Sequence, residues 1–114
     1  MIVYGIKNCD TMKKAFTWLD NNKIEYTFQD YRKPPLTPEE IAGILKLIGL
    51  DKLVNKRSTS WRALSESEKE AVLDPATATP ILIANPTLIK RPLIVDGEQA
   101  FVGFSVADFE KQFL

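Results

Sequence analysis

The sequence predicts an α/β sandwich, a four-stranded mixed sheet flanked by helices, from three stretches of its pattern. Residues 2–31 read strand, helix, strand, the βαβ order whose crossover sets its two strands parallel. Residues 93–113 read as a hairpin followed by a helix. Residues 37–85, between these halves, are punctuated by helix caps and prolines and are expected to be largely helical. No internal repeat and no long linker divides the chain, so residues 1–114 are expected to form one domain.

Ile2-Val3-Tyr4 is a short β-rich apolar run stopped by Gly5, the pattern of a buried strand. From Asp10 the apolar residues Met12, Ala15, Phe16 and Leu19 recur at i, i+3, i+4 and i+7, while Lys13, Lys14, Thr17 and Asp20 take the other face. That spacing predicts a helix starting at Asp10 or Thr11 and ending at Asn21-Asn22. Tyr26, Phe28 and Asp30 then alternate with Thr27, Gln29 and Tyr31 in a second strand.

Pro34-Pro35 breaks the chain, and Thr37-Pro38-Glu39-Glu40 supplies an N-cap, a proline at the first helical position and the glutamate of a capping box. Ile41, Ile44, Leu45 and Ile48 form that helix's apolar stripe, and Gly49 suits a left-handed exit. Asn55 to Arg62 is polar and is expected on the surface; Ser65 to Glu68 repeats the capping box and opens a short helix through Val72. After Asp74-Pro75, periodicity alone leaves Ile81-Leu82-Ile83-Ala84 as strand or helix. Helix is the expectation, with Thr79 as cap and Pro80 in the first turn. Leu93-Ile94-Val95, the turn Asp96-Gly97 and Ala100-Phe101-Val102 form the clearest hairpin. Ser105 to Asp108 caps a last helix with Val106, Phe109 and Phe113 inward.

Composition narrows the function classes. Apolar residues are 45% and charged residues 26%, with 5 glycines and 7 prolines, which excludes a disordered or low-complexity chain. Surface scaling gives roughly 6,300 Å² folded against about 18,700 Å² unfolded, enough burial for one core. Fifteen basic residues balance fifteen acidic ones, so the electrostatic footprint of a nucleic-acid binder is missing. With one cysteine and no histidine, an internal disulfide, a Cys/His zinc site and every histidine-dependent mechanism are excluded, and no metal or bound cofactor is expected. No apolar run approaches the ~18 residues of a membrane span, and Lys7 and Asp10 interrupt any h-region. A lone thiol without an export signal points to a reducing cytoplasm.

Cys9 is the chemical candidate. It lies between a buried strand and the first turn of a helix, at the carboxyl end of the strand, where open α/β folds place their sites. Unpaired N–H groups and the positive end of the helix dipole favour the thiolate there, and Lys7 is near enough in sequence to add to the effect. The competing reading is a small buried hydrophobe; the polar flanks Asn8 and Asp10 favour exposure. A C-x-x-C redox pair would need cysteine where Met12 stands, so disulfide chemistry must borrow a second thiol. Lys90-Arg91-Pro92 precedes the third strand, and a cis proline there would turn the preceding backbone toward the site. Taken alone, Arg91, Lys56, Arg57 and Arg62 are ordinary surface charges.

Tyr4-Gly5-Ile6-Lys7-Asn8-Cys9-Asp10-Thr11, Pro34-Pro35 before the Thr-Pro-Glu-Glu helix, and Ile89-Lys90-Arg91-Pro92 together resemble the arsenate reductase and Spx family over essentially the whole chain. The likeness is greatest to its YffB-type branch. The resemblance implies a thioredoxin-like fold with a helical insertion, Cys9 as nucleophile, Arg91 as an anion-binding arginine and Pro92 as the cis-proline of that fold. Arsenate reductases carry further arginines at positions that align with Asn55 and Gly103, so the oxyanion cradle is incomplete unless Arg57 bends inward. Met12 likewise removes the C-x-x-C switch of Spx-type regulators that bind RNA polymerase. The expected function is glutathione-dependent thiol–disulfide exchange through Cys9, with glutathione or a small thiol or disulfide as partner and Lys7, Asn8, Arg57, Arg91 and Pro92 around it. The alternatives are a non-catalytic binding or regulatory module of the Spx type, with a protein partner, and an arsenate reductase.

Overall fold

A computed structural model describes residues 1–114. The chain runs β1 (Ile2–Gly5), α1 (Asp10–Asn21), β2 (Thr27–Asp30), α2 (Pro38–Ile48), α3 (Leu50–Leu53), α4 (Thr59–Arg62), α5 (Glu66–Val72), α6 (Pro75–Ala84), β3 (Leu93–Asp96), β4 (Gln99–Val102) and α7 (Val106–Phe113), with a 3₁₀ turn at Pro86–Leu88. The four strands form one mixed sheet in the order β2-β1-β3-β4, with β1 parallel to β2 and antiparallel to β3. This is the thioredoxin-like arrangement, with α2–α6 inserted between its halves.

Strand alternation splits the core in two. Val3 pairs with Ile94, and both face α1 and α7, where Met12, Ala15, Leu19 and Phe109 close the layer. Tyr4 pairs with Leu93 toward the opposite layer, where the insertion supplies Ile41, Ile44, Leu53, Val72 and Leu82. The two capping boxes form as expected: Thr37 accepts from the Glu40 N–H, Ser65 accepts from the Glu68 N–H, and each glutamate reaches back to its cap.

Several expectations need correction. Gly49 has φ 84° and ψ 154°, outside the left-handed helical region; it turns the chain straight into α3, whose N-cap it is. The polar stretch from Asn55 to Arg62 lies on the surface as expected, and it also contains α4, capped by the Ser58 hydroxyl. Helix α6 begins at Pro75, with Asp74 as cap accepting from the Ala76 N–H, so Thr79 and Pro80 lie inside it. Asp-Pro was itself the cap and first-turn pair, and Pro80 sacrifices one interior helix bond. Asp96 and Gln99 pair, which puts the hairpin loop at Gly97-Glu98, with Gly97 taking the positive φ. Val106 is 49% exposed rather than inward, because the first turn of α7 overhangs a groove against α1 and the helix enters the core only at Phe109.

Gly5 ends β1 under the first turn of α1. A Cβ there would stand 2.5 Å from Met12 Sδ and 2.6 Å from its Cε, and Met12 is fully buried with little room to retreat. Gly5→Ala is therefore expected to destabilise the fold by about 1–3 kcal/mol, read from urea unfolding. Combined with Met12→Ala, its cost should fall below the sum of the two single changes, because the clash disappears.

Candidate active site

The end of β1 hands the chain to Cys9, which has extended backbone (φ −132°, ψ 129°) and is the N-cap of α1. Its carbonyl accepts the Lys13 N–H at 2.9 Å, so the cap is fixed by the backbone while the side chain is left over. The thiol closes no cap hydrogen bond of good geometry, yet it lies beside the unpaired N–H groups of Met12 and Thr11 and the Arg91 guanidinium. Burial pushes the thiol up, while those N–H dipoles and Arg91 pull it down and outweigh burial, leaving Cys9 more acidic than an ordinary cysteine.

Arg91 is delivered by a strap. The Asn55 N–H donates to the Leu88 carbonyl at 2.8 Å and the Lys90 N–H to the Leu53 carbonyl at 2.9 Å, around a Val54–Ile89 bridge. The Arg91–Pro92 peptide bond is cis, and the Pro92 carbonyl accepts from the Gly103 N–H at 3.0 Å. The segment 88–92 is thereby held both to the insertion and to the end of β4.

Sequence reasoning missed Tyr31. It follows β2 and is fully buried; its hydroxyl donates to the Ile89 carbonyl at 3.1 Å and accepts from Arg91 Nη1 at 3.3 Å. Burial raises the Tyr31 pKa further than Arg91 lowers it, so the phenol stays neutral. Burial opposes the charge on Arg91, but Tyr31 and Cys9 hold its pKa above the ordinary arginine value. A neutral phenol thus orients a permanent cation at a thiolate. The one available signal was position: a tyrosine at the carboxyl end of a strand parallel to β1 falls on the same sheet end as Cys9.

The remaining expected residues divide. Arg57 and Arg91 line one open cavity of about 710 Å³ together with Lys56, Lys90, Asn55 and Gly103, and Asp51 is its single acidic member. The loop bearing Arg57 is folded by its own N–H donating to Asn55 Oδ1 at 3.0 Å and by Arg62 Nη2 donating to the Arg57 carbonyl at 2.9 Å. Arg62 is therefore a brace of that loop. Asn8 is exposed beside Cys9. Lys7 gives the thiol none of the expected help: its Nζ lies over the Phe28 ring, 5.9 Å from the centroid, and Arg91 is the cation that acts on Cys9. Met12, at the position of a second C-x-x-C thiol, is buried against Gly5.

The ArsC family model matches residues 4–112. The chain is 47% identical over 111 residues to an uncharacterized protein of Haemophilus influenzae, covering 97% of this chain and 96% of that one. It is 26% identical over 113 residues to the global transcriptional regulator Spx 2 of Bacillus anthracis, covering 97% and 85%. Among solved structures, one of a YffB protein is similar with a TM-score of 0.90 and 38% identity, over 99% of this chain and 98% of that one.

Proposed function

Because the chain belongs to the ArsC family, and keeps one acidified cysteine, we propose that it is a glutathione-dependent thiol–disulfide oxidoreductase acting through Cys9. The observation that carries this reading is the convergence of the α1 N–H groups and the Tyr31-oriented Arg91 on one thiol that has no internal partner. The Cys9 thiolate attacks the glutathionyl sulfur of a mixed disulfide, forming Cys9–S–S–glutathione and expelling the other thiolate, which takes a proton from solvent. A second glutathione thiolate then attacks the bound glutathionyl sulfur, releasing oxidised glutathione and regenerating Cys9. One free glutathione is consumed per turnover: the substrate thiol is released, and the disulfide bond passes to oxidised glutathione, one half of which came from the substrate. Arg91, with Arg57 across the cavity, donates to a glutathione carboxylate, and the backbone next to Pro92, whose own carbonyl is taken by Gly103, pairs with its peptide.

The test is turnover of the mixed disulfide of glutathione and 2-mercaptoethanol at millimolar glutathione, by parent and Cys9→Ser. Turnover by the parent and none by Cys9→Ser is expected; no turnover by the parent sinks the enzyme reading. The match to Spx 2 favours one second reading, a binding or regulatory module of that type, which predicts binding without turnover.

Arsenate reduction is expected to be weak or absent. The positions where the resemblance places further arginines, Asn55 and Gly103, do line the Arg91 cavity, but neither offers a guanidinium, and Gly103 has φ 81°, which disfavours any side chain. Robust glutathione- or glutaredoxin-dependent arsenate turnover would overturn this and make Arg57 a ligand.

A further inference from the structure

Along α1, from the turn after Cys9, runs a groove of about 370 Å³ that the chemistry above does not use. Lys13, Lys14, Thr17, Trp18 and Asn21 form its α1 wall, and Phe104 and Val106 form the other. Its floor is rigid and apolar: Trp18 packs edge-on against Phe109 at 5.3 Å, and Phe104 packs edge-on against the same ring at 4.7 Å. Val106 adds an apolar side chain at a helix start that its own fold leaves 49% exposed. Its rim is cationic. Lys13 and Lys14 are exposed and enter no ion pair; the molecule's two ion pairs are Arg32–Asp30 and Lys69–Glu66. Asp10 and Asp20 also lie on the polar side of α1, but neither lines the groove, whose other end closes on neutral Thr17 and Asn21.

Both walls are tied to the reaction centre. Lys13 lies four residues from Cys9 on one helix, about 6 Å along the axis. Phe104 follows Gly103, whose N–H is bonded to the Pro92 carbonyl beside Arg91. From Cys9 to Asn21 the helix advances about 18 Å, the length of five or six extended residues.

Resting on the oxidoreductase reading, we infer that this groove seats the polypeptide half of a glutathionylated protein substrate, an extended segment with acidic residues next to its modified cysteine and aromatic or aliphatic residues three to five positions on. The acidic residues face Lys13 and Lys14, and the apolar ones lie on Trp18, Phe104 and Val106. Exchange follows the steps given above, with the substrate cysteine as the thiolate expelled by Cys9 and glutathione as the reductant. An aromatic floor held by its neighbours costs little ordering on binding, while the lysines select partners by sign.

The experiment compares two synthetic peptides, each with one glutathionylated cysteine followed by either Asp-Asp-Phe-Leu or Lys-Lys-Phe-Leu, and the glutathione–mercaptoethanol disulfide as a substrate too small for the groove. The acidic peptide should be turned over with about five- to ten-fold higher kcat/KM than the basic one, as two rim pairs allow, and the ratio should shrink in high salt. Lys13→Glu/Lys14→Glu should invert the preference, and Val106→Asp should weaken the acidic peptide. Both should leave the small disulfide within about two-fold, since neither site touches the thiol.

Equal turnover of the two peptides, or variants that lower all three substrates alike, would overturn the inference while leaving the oxidoreductase reading in place. If the small disulfide is not turned over, that reading fails, and docking is read separately by anisotropy of the labelled, reduced peptides on Cys9→Ser: the same acidic preference supports the groove, and none removes it. A dimer that Val106→Asp converts to monomer would assign the groove to a second copy of the chain and overturn the inference as well.

Discussion

Replacing Arg91 with alanine should move the alkylation of Cys9 to higher pH and weaken glutathione binding by about 10- to 150-fold, the worth of a partly shielded charge-assisted hydrogen bond of about 1.5–3 kcal/mol. Two effects act in the same direction. Arg91 pulls the Cys9 pKa down, so its removal leaves burial opposed only by the Met12 and Thr11 N–H groups. It is also a half-buried cation of the cavity, whereas Arg62 is exposed and spends its guanidinium on the Arg57 carbonyl. Arg62→Ala should therefore weaken binding less, and calorimetry or the glutathione-induced shift in Tm separates the two. Cys9→Ser should keep the non-covalent binding and lose the mixed disulfide. A thiol acidified by folding stabilises the native state above its unfolded pKa and loses that contribution as pH falls through the folded value. The stability gap between parent and Arg91→Ala should accordingly be wider at pH 10 than at pH 6. Identical alkylation profiles, with an apparent pKa at or above the ordinary thiol value in the parent, would remove the chemical case for Cys9.

Tyr31→Phe should show in both stability and reactivity. The deleted hydroxyl leaves the Ile89 carbonyl, on a residue 1% exposed, without its 3.1 Å partner, and an unsatisfied buried acceptor costs about 1–3 kcal/mol. The same deletion frees Arg91 from its 3.3 Å contact, so the guanidinium is no longer aimed at the thiolate. A merely structural tyrosine would lower Tm without moving the alkylation profile. Here the profile should shift upward in the direction of Arg91→Ala but by less, and the double variant should shift no further than Arg91→Ala alone. An unchanged profile at reduced Tm would confine Tyr31 to the core.

The strands, α1 and both capping boxes were legible because each is written in short-range pattern: Met12, Ala15 and Leu19 repeat at helical spacing and are all buried, and Thr37 and Ser65 carry their glutamates three residues on. Cys9 was legible for the same reason, since a cysteine between a strand and a helix is a local statement. What depended on residues far apart was not. Tyr31 and Arg91 are sixty residues apart and meet only through the sheet. The turning of Arg57 into the Arg91 cavity depends on Asn55, Arg62 and the strap, none of which has a sequence signature. Lys7 was misjudged because closeness in sequence to Cys9 says nothing of Phe28, which reaches Lys7 from the neighbouring strand. The start of α6 was misplaced because Asp74-Pro75 reads equally as a chain break, which left Thr79-Pro80 as the apparent helix entry.

The short pairing between residues 53–55 and 88–90 makes the placement of Arg91 conditional on the docking of the helical insertion. A fluctuation that peels the helical insertion away breaks that pairing, and the segment it releases carries Arg91. The thiol then loses its guanidinium in the same event that opens the site to solvent. Loosened molecules, whether warmed, nascent or damaged, should therefore hold an anionic thiol ligand less well than intact ones, because the cation that would receive its carboxylate leaves with the insertion.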